Sequence, residues 1–289
     1  IYENSTSSVS IDLSAGTAVG TNSGNDTITN IEYIIGTDYA DTITGDSDDN
    51  GFSGGAGDDV IDGGDGWDYV WYGSSESGIV LNLATGTATS VTSGTDTINN
   101  IEEVYGSNYS DTLLGDSGEN WFYPDSLGQN EPNSLIGAVD SVDGVSGNHD
   151  TVSWWGTEFD NNSLTGVNVD LSDTSLNGGS ASPGIDPAGN TDYLANIDDV
   201  QGTSKNDTLV GNDSDNILMG DEGNDTLVGN GGADTFSLGN NKYYHPNITS
   251  ASDADTITDF SVSDGDKIRF GADSLQANGG SISLTTAGN

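Results

Sequence analysis

Apolar residues recur every nine positions along this chain, behind turns that are rich in glycine. Four blocks of nine residues follow one another without a gained or lost residue, starting at Gly36, Gly45, Gly54 and Gly63. The eighth residue of each block is apolar and the sixth is an acid or an amide. The eighth residues are Ile43, Phe52, Ile61 and Val70, and the sixth residues are Asp41, Asn50, Asp59 and Asp68. A fixed period of this kind is typical of repeat architectures.

Six turn residues followed by three strand residues account for one block. The middle side chain of a three-residue strand faces one side of the sheet, and its two neighbours face the other side. The eighth residue is therefore predicted to point inward, and the seventh and ninth residues outward. Two blocks make one coil with a short strand on each side, and stacked coils bury a thin apolar core that no single coil could build alone. The predicted fold is all-β, a parallel β-roll (a solenoid of the β-helix type).

Two further arrays repeat this pattern. The second array has blocks that start at Gly106 and Gly115 and breaks at Pro124. The third array has four blocks, starting at Gly202, Gly211, Gly220 and Gly229. Each of its sixth residues is again an acid or an amide, and they are Asp207, Asn216, Asp225 and Asp234.

A longer repeat groups the arrays into three modules. Ser10–Ala18 matches Val80–Ala88, and a looser third copy starts at Asn168. The predicted modules span residues 1–78, residues 79–166 with an irregular insertion at 124–147, and residues 167–289 with a loop at 176–190 and a C-terminal cap at about 239–289. Residues 1 and 2 align with the last strand of an array. We therefore expect the chain to start in mid-repeat, as a piece of a longer protein.

The composition calls for a bound cation. The chain has 47 Asp and Glu residues against 4 Lys and Arg residues, with a formal net charge of −43 at pH 7. Such a charge excludes nucleic acid as a partner, because phosphate binding requires cationic side chains. High charge with low hydrophobicity is also typical of disorder, but periodic glycines and apolar residues favour a fold that forms once the charge is neutralised.

The side-chain chemistry limits which cation could bind. There is no Cys, so metal ligands must be mainly oxygens, which favours Ca²⁺ or Mg²⁺. Mg²⁺ fits less well because it retains its water ligands. No apolar run approaches 18 residues, which predicts that no transmembrane segment is present.

These residues resemble the RTX (repeats-in-toxin) family, whose nonapeptide is GGxGxDxUx. The best matches are GGAGDDVID (Gly54–Asp62) and GGDGWDYVW (Gly63–Trp71), and the segments DTITDF and GDKI resemble the C-terminal region of serralysin-type RTX domains. The resemblance implies a parallel β-roll built of RTX nonapeptide repeats, with several bound Ca²⁺ ions. It also implies type I secretion and folding on contact with extracellular calcium. We therefore expect a bacterial protein that is secreted or lies on the cell surface.

The same resemblance implies a set of metal ligands. In the family, an ion lies between one block and the block two further on. It takes the carbonyls of positions two and four and the sixth carboxylate from the first block, and the carbonyls of positions one and three and the sixth carboxylate from the second. By this resemblance the ligands are Thr37, Tyr39 and Asp41 with Gly54, Ala56 and Asp59; Asp46, Asp48 and Asn50 with Gly63, Asp65 and Asp68; Thr203, Lys205 and Asp207 with Gly220, Glu222 and Asp225; and Asn212, Ser214 and Asn216 with Gly229, Gly231 and Asp234.

Some candidate ligands depart from the pattern. Asp111, Asp150 and Asp255 are further candidate metal ligands outside these four pairs. Asn replaces Asp at Asn50, Asn120 and Asn216. We expect weaker ion binding there, because an amide oxygen ligates without a full charge, and we expect the ion at Asn50 to be lost first.

Several functions stay open at this point. The two histidines lie far apart, and neither HExxH nor a nucleophile elbow is present, so no enzyme activity is expected in this segment. The parent protein is undetermined. The leading hypothesis is a calcium-folded structural segment of an adhesin or surface-layer protein, and the first alternative is the C-terminal secretion and folding region of an exported protease, lipase or epimerase.

A third hypothesis is a glycan-binding module. The strand rule places several aromatic side chains outward, where they could contact a glycan or a neighbouring copy of the same protein. These residues are Tyr69, Trp71, Trp121 and Tyr123. The alternative is that the segment 124–147 or a neighbouring module covers them.

Overall fold

The structure is a computed structural model, and it describes residues 2, 5–22, 24–124, 141–143, 149–154, 166–172, 182–185, 191–238, 254–270 and 281–284. Within these ranges the chain forms β-strands joined by turns, so the predicted all-β class is confirmed. The described ranges contain no helix long and apolar enough to span a membrane. The chain divides into two compact units, residues 1–145 and 146–289.

Unit 1 contains short strands, most of them of three to five residues. They are β1 (Val9–Asp12), β2 (Thr17–Gly20), β3 (Gly24–Thr27), β4 (Tyr33–Thr37), β5 (Thr42–Thr44), β6 (Gly51–Gly55), β7 (Val60–Asp62), β8 (Tyr69–Trp71), β9 (Ile79–Asn82), β10 (Thr87–Ser90), β11 (Gly94–Asn99), β12 (Glu103–Tyr105), β13 (Thr112–Leu114), β14 (Trp121–Tyr123) and β15 (Ser141–Asp143).

Two sheets of different character form unit 1. One sheet is entirely parallel, in the order β4–β6–β8–β12–β14. The other has the order β3–β2–β1–β5–β7–β11–β10–β9–β13–β15. Its coil strands pair in parallel, but β1–β3 and β9–β11 are antiparallel meanders. The third strand of each meander leads into or contains a DTI sequence (residues 26–28 and 96–98), and an NIE sequence follows it (residues 30–32 and 100–102).

Unit 2 repeats this arrangement. Its strands are β16 (Thr151–Ser153), β17 (Asn168–Asp170), β18 (Ser182–Ile185), β19 (Thr191–Ala195), β20 (Asp199–Gln201), β21 (Thr208–Val210), β22 (Ile217–Asp221), β23 (Thr226–Val228), β24 (Thr235–Leu238), β25 (Ala254–Ile257), β26 (Lys267–Phe270) and β27 (Ser281–Leu284). A parallel sheet runs β16–β20–β22–β24–β26. The second sheet runs β19–β18–β17–β21–β23–β25–β27, with the meander β17–β19 at its start.

The nine-residue period places the core. The seventh to ninth residues of every block in the three arrays lie in a strand, and the eighth residues are fully buried. Parallel register stacks these residues in columns, such as Ile43 on Ile61 and Phe52 on Val70. Each coil therefore depends on its neighbours to cover its inward side chains, which is the predicted β-roll.

The structure adds detail to two predicted segments. The segment 176–190, predicted as a loop, contains β18, which pairs antiparallel with β17 and β19; the rest of it lies outside the described residues. Most of the predicted insertion at 124–147 also lies outside them, except residue 124 and β15. In the predicted cap, β25, β26 and β27 continue the two sheets of unit 2. The three-module division stays a prediction.

Adjacent residues of β7 test the inward and outward rule. Ile61 is fully buried, whereas the neighbouring Val60 is 43% exposed. Ile61→Ala should lower the free energy of unfolding in saturating calcium by about 2–5 kcal/mol, because it leaves a cavity in the core. Val60→Ala should lower it by about 1 kcal/mol or less. Urea unfolding of both variants measures the difference, and equal losses would contradict the assigned register.

Candidate metal centre

A ladder of hydrogen bonds joins the sixth residues of successive coils. The backbone N–H of Asp41 donates to Asp59 Oδ1 at 2.7 Å, and that of Asn50 donates to Asp68 Oδ1 at 2.7 Å. The third array repeats these bonds from Asp207 to Asp225 and from Asn216 to Asp234, both at 2.9 Å. All these side chains are buried. The sixth residues therefore hold neighbouring coils in register from inside the turns.

In the first two blocks of the first and third arrays, the backbone N–H of the second residue donates a hydrogen bond to a side-chain oxygen of the sixth residue. In the first block, the Thr37 N–H donates to Asp41 Oδ2 at 2.6 Å, so both oxygens of Asp41 accept backbone hydrogen bonds. The Asp46 N–H likewise donates to Asn50 Oδ1 at 2.9 Å. Thr203 and Asn212 make the same bonds in the third array. In these blocks a backbone N–H of the same turn therefore satisfies a side-chain oxygen of the sixth residue.

The last two blocks of the first array and of the third array have a different turn. Their second residues have a positive φ, and these residues are Gly55 (100°), Gly64 (106°), Asp221 (59°) and Asn230 (67°). The Oδ2 atoms of Asp59, Asp68 and Asp225 in these blocks are buried and have no hydrogen-bond partner within the described structure. A buried carboxylate oxygen without a partner is costly, so these turns are incomplete without a further positively charged group.

Backbone carbonyls of the first array also lie between neighbouring coils. A Cβ atom on Gly57 would lie 3.0 Å from the Tyr39 carbonyl oxygen, and one on Gly55 would overlap the Thr37 carbonyl oxygen. A Cβ atom on Gly36 would meet both the Gly54 carbonyl oxygen and, at 2.5 Å, Asp41 Oδ2. Most of the oxygens that the sequence assigns to the first ion therefore face the space between two coils.

The other three pairs show the same convergence. The carbonyl oxygens that approach a glycine of the adjoining coil belong to Asp46, Asp48, Gly63, Lys205, Gly220, Ser214 and Gly229. The carbonyl oxygens of Asp46 and Asn212 also accept backbone hydrogen bonds from Asp65 and Gly231. These positions agree with the predicted ligand sets, but metal binding by every one of these carbonyls, and by those of Ala56, Asp65, Thr203, Glu222 and Gly231, stays a prediction.

Burial raises the pKa of the carboxyl groups in these columns. It raises the pKa of Asp59 from 3.8 to about 7 and that of Asp225 to about 9, and neighbouring carboxylates add to both shifts. The pKa values of Asp68 and Asp234 rise to about 6, also mainly because of burial. These carboxyl groups therefore resist ionisation, and a cation beside them would remove this cost.

The donor set suits calcium. The described residues contain no group of three or more His, Cys, Asp or Glu side chains placed to hold a metal ion by themselves. The gaps instead combine one or two side-chain oxygens with several backbone carbonyls. Ca²⁺ accepts six to eight oxygen ligands, including carbonyls, at flexible geometry.

The family comparison agrees with this geometry. The model of the RTX calcium-binding nonapeptide repeat matches residues 30–59, 45–75, 92–126, 195–227 and 210–241. The matched residues are RTX calcium-binding repeats. A search of curated proteins gave no match. RTX repeats bind calcium, are structural rather than catalytic, and occur in secreted bacterial proteins.

The additional candidate ligands differ in their surroundings. Asp111 accepts hydrogen bonds from the Ile79 and Ser107 N–H groups at 2.7 and 2.6 Å, so its RTX turn is of the self-satisfied type. Asp255 Oδ1 accepts the Asp225 N–H at 3.1 Å and extends the column of the third array. Asp150 contacts a different motif, described below. Metal binding at these three residues stays a prediction.

The sequence interpretation missed Asp96. Its Oδ1 accepts the Asp59 N–H at 3.0 Å, so it continues the first column beyond the array, and its Oδ2 accepts the Tyr72 hydroxyl at 2.8 Å. A signal was available, because Val91–Asn99 reads as a further nonapeptide with Asp96 sixth and Ile98 eighth. The lack of a glycine at its first position concealed it.

The outward aromatic residues of unit 1 stack on one another. The rings of Tyr105 and Tyr123 are stacked and nearly parallel, with centroids 4.2 Å apart, and the Tyr69 ring meets Tyr105 edge-on with centroids 5.5 Å apart. Tyr33 stacks on Tyr69 at 6.0 Å, and Trp121 lies 6.4 Å from Tyr123. These rings therefore contact one another within the protein.

The burial of Tyr123 differs from the prediction that its side chain is exposed on the outer face of the strand. Tyr69, Trp71 and Trp121 are half-buried, but Tyr123 is only 4% exposed although its register places it on the outer side of the strand. Stacking against Tyr105 is the physical reason visible for this burial. Glycan binding by these residues stays a hypothesis.

Proton uptake should partly replace calcium. The folded pKa of Asp59, about 7, exceeds the ordinary value of 3.8, so between these pH values the folded state binds more protons than the unfolded chain. The free energy of unfolding without calcium must then fall as pH rises through this window, and Asp225 extends the effect towards pH 9. In EDTA, far-UV circular dichroism should show more β-structure at pH 5 than at pH 8. More β-structure at pH 8 would contradict the shifts.

Asn50 offers a test of ligand charge. Its Nδ2 is buried and has no hydrogen-bond partner within the described structure, whereas Asn216 Nδ2 donates to the Asp198 carbonyl at 2.6 Å. Asn50→Asp should tighten calcium binding about tenfold, or about 1.4 kcal/mol, because it adds charge and removes an unpaired donor. Asn216→Asp should gain less, since it loses a hydrogen bond. Calorimetric titration measures both, and an unchanged affinity in Asn50→Asp would refute the expectation.

Proposed function

We propose that this chain is a calcium-folded structural segment of a large secreted or cell-surface protein, of adhesin or surface-layer type. The observation that carries the proposal is the set of buried, unpartnered Oδ2 atoms of Asp59, Asp68 and Asp225. They lie in columns of stacked carboxylates within a chain of net charge −43. Calcium would offset this repulsion, and its binding free energy would then add to the stability of the fold.

Export explains why such a fold is useful. Extracellular calcium modules bind with dissociation constants of about 10⁻⁴ to 10⁻³ M, so the proposed segment stays unfolded at low calcium inside the cell and folds outside. Within each unit the repeats then stack coil on coil, so that each coil contacts mainly its neighbours. These properties suit a spacer or surface layer, and they require no catalytic residue.

One observation favours a second candidate. The strand β25 carries the DTI of the sequence DTITDF, which resembles the C-terminal region of serralysin-type domains, and it continues a sheet of the RTX roll. This supports a secretion and folding region of an exported enzyme. The domain content of the parent gene separates the two: dozens of further repeats favour the structural segment, and one hydrolase or epimerase domain favours the second candidate.

Calcium removal tests the proposal directly. Far-UV circular dichroism of the EDTA-treated chain at neutral pH should show an unfolded spectrum, and calcium should restore β-structure cooperatively. Magnesium at the same concentration is the control, and it should restore much less because it releases its water ligands reluctantly. A β-rich spectrum that is indifferent to EDTA would refute calcium-dependent folding.

A further inference from the structure

Above Gly63, the first array meets a corner that is not a nonapeptide. The corner is Asn100–Glu102, with the sequence NIE, and Asn100 has a left-handed φ of 52°. The Gly63 N–H donates to the Asn99 carbonyl at 3.0 Å, as the Gly45 N–H donates to the Asp62 carbonyl at 2.8 Å. Asn100 therefore stands where the first glycine of a next block would stand.

The acid of the corner takes the place of a sixth residue. Glu102 Oε2 accepts the Asp68 N–H at 2.9 Å, just as Asp68 Oδ1 accepts the Asn50 N–H. In return, the Asp68 carbonyl accepts the N–H groups of Glu102 and Glu103, both at 3.0 Å. The corner is shorter than a nonapeptide turn, and the longer Glu side chain spans the difference.

Two oxygens converge over Gly63. A Cβ atom there would lie 2.6 Å from Asp68 Oδ2 and would overlap the Asn100 carbonyl oxygen. The same arrangement exists one coil earlier, where a Cβ atom on Gly45 would meet Asn50 Oδ1 and the Gly63 carbonyl oxygen. Asp68 is completely buried, and its Oδ2 has no hydrogen-bond partner within the described structure. The gap above Gly63 thus lacks a group that would satisfy this oxygen.

We propose that Asp68, the Asn100 carbonyl and Glu102 form a further divalent-cation site, outside the paired nonapeptide blocks, with calcium as its ion. Two carboxylates neutralise the charge of one divalent ion, and the Asn100 carbonyl supplies a neutral ligand as hard cations require. Further carboxylates at Asp46 and Asp49 raise the negative potential there. The inference rests on calcium binding by the RTX repeats, and it adds a site that the GGxGxD pattern does not assign.

A second corner repeats the backbone contacts. In unit 2, the Asp150 carbonyl accepts the N–H groups of Asp198 and Asp199, both at 3.0 Å. Asn196, two residues before Asp198, again has a left-handed φ, of 54°. Asp198 is shorter than Glu102, and its Oδ2 lies 3.4 Å from the Asp150 N. The corner is therefore a recurring element, and the longer acid makes the closer contact in unit 1.

The test counts calcium ions in the whole 289-residue chain. Native mass spectrometry of Glu102→Gln in saturating calcium should show one ion fewer than the unaltered protein, because the amide removes a charged ligand while keeping the side-chain size. Glu32→Gln is the matched control: Glu32 occupies the same place in the first NIE corner, but its side chain is exposed, and the ion count should not change. Equal counts in Glu102→Gln and the unaltered protein would overturn the proposal.

A second measurement covers the case in which Glu102→Gln fails to fold. Crystals of the unaltered chain soaked with Tb³⁺ should give an anomalous peak between Asp68 Oδ2 and Glu102, and its absence while the paired blocks are occupied would overturn the site. The same measurements distinguish failure of this site from failure of the calcium-folding proposal. If neither the unaltered protein nor the variants bind any calcium, the calcium-folding proposal is wrong, whereas loss of the corner ion alone leaves it intact.

Discussion

In the first and third arrays, each coil is tied to the next by a carboxylate oxygen that accepts a backbone N–H inside the turns. The bond from Asp41 to Asp59 and its equivalents run parallel to the sheets and set the stacking from the turn side. The same bonds collect acidic groups in two buried columns, where water cannot solvate them fully. A hard cation would neutralise the buried acidic groups without breaking the bonds between coils, because it binds carbonyl and carboxylate oxygens together. The same residues therefore hold the coils together and supply the candidate metal ligands.

Much of the fold follows from local rules. Alternation in a three-residue strand and a strict nine-residue step were enough to predict that Ile43, Phe52 and their equivalents lie in the core. The meanders were harder to predict. Their strands pair antiparallel with one another but in parallel with the coils. The parallel pairing joins residues far apart in sequence, such as Val60 and Thr97, and no local pattern reveals it.

The candidate site was predictable to a similar degree. The sixth residues were evident from the period, but Asp96 and Glu102 act in the columns from turns that lack the glycine signature. The two kinds of turn were also hidden. Asp221 and Asn230 take the left-handed conformation that glycine takes at Gly55 and Gly64. Asn and Asp tolerate this conformation better than other residues with side chains. The third array therefore departs from the glycine motif in sequence although its turns have the same backbone conformation.

The two-sheet geometry limits how such a chain can change length. One nonapeptide is half a coil, so the loss of one block moves every later strand to the opposite sheet and every later acid to the opposite column. The loss of two blocks restores both, because the ladder bonds join residues 18 apart. Replication slippage or recombination within the gene therefore yields folded products only in steps of whole coils. The meanders relax this rule, since the bond from Asp59 to Asp96 spans 37 residues, and they are the places where a β-roll of this kind can lengthen by other amounts.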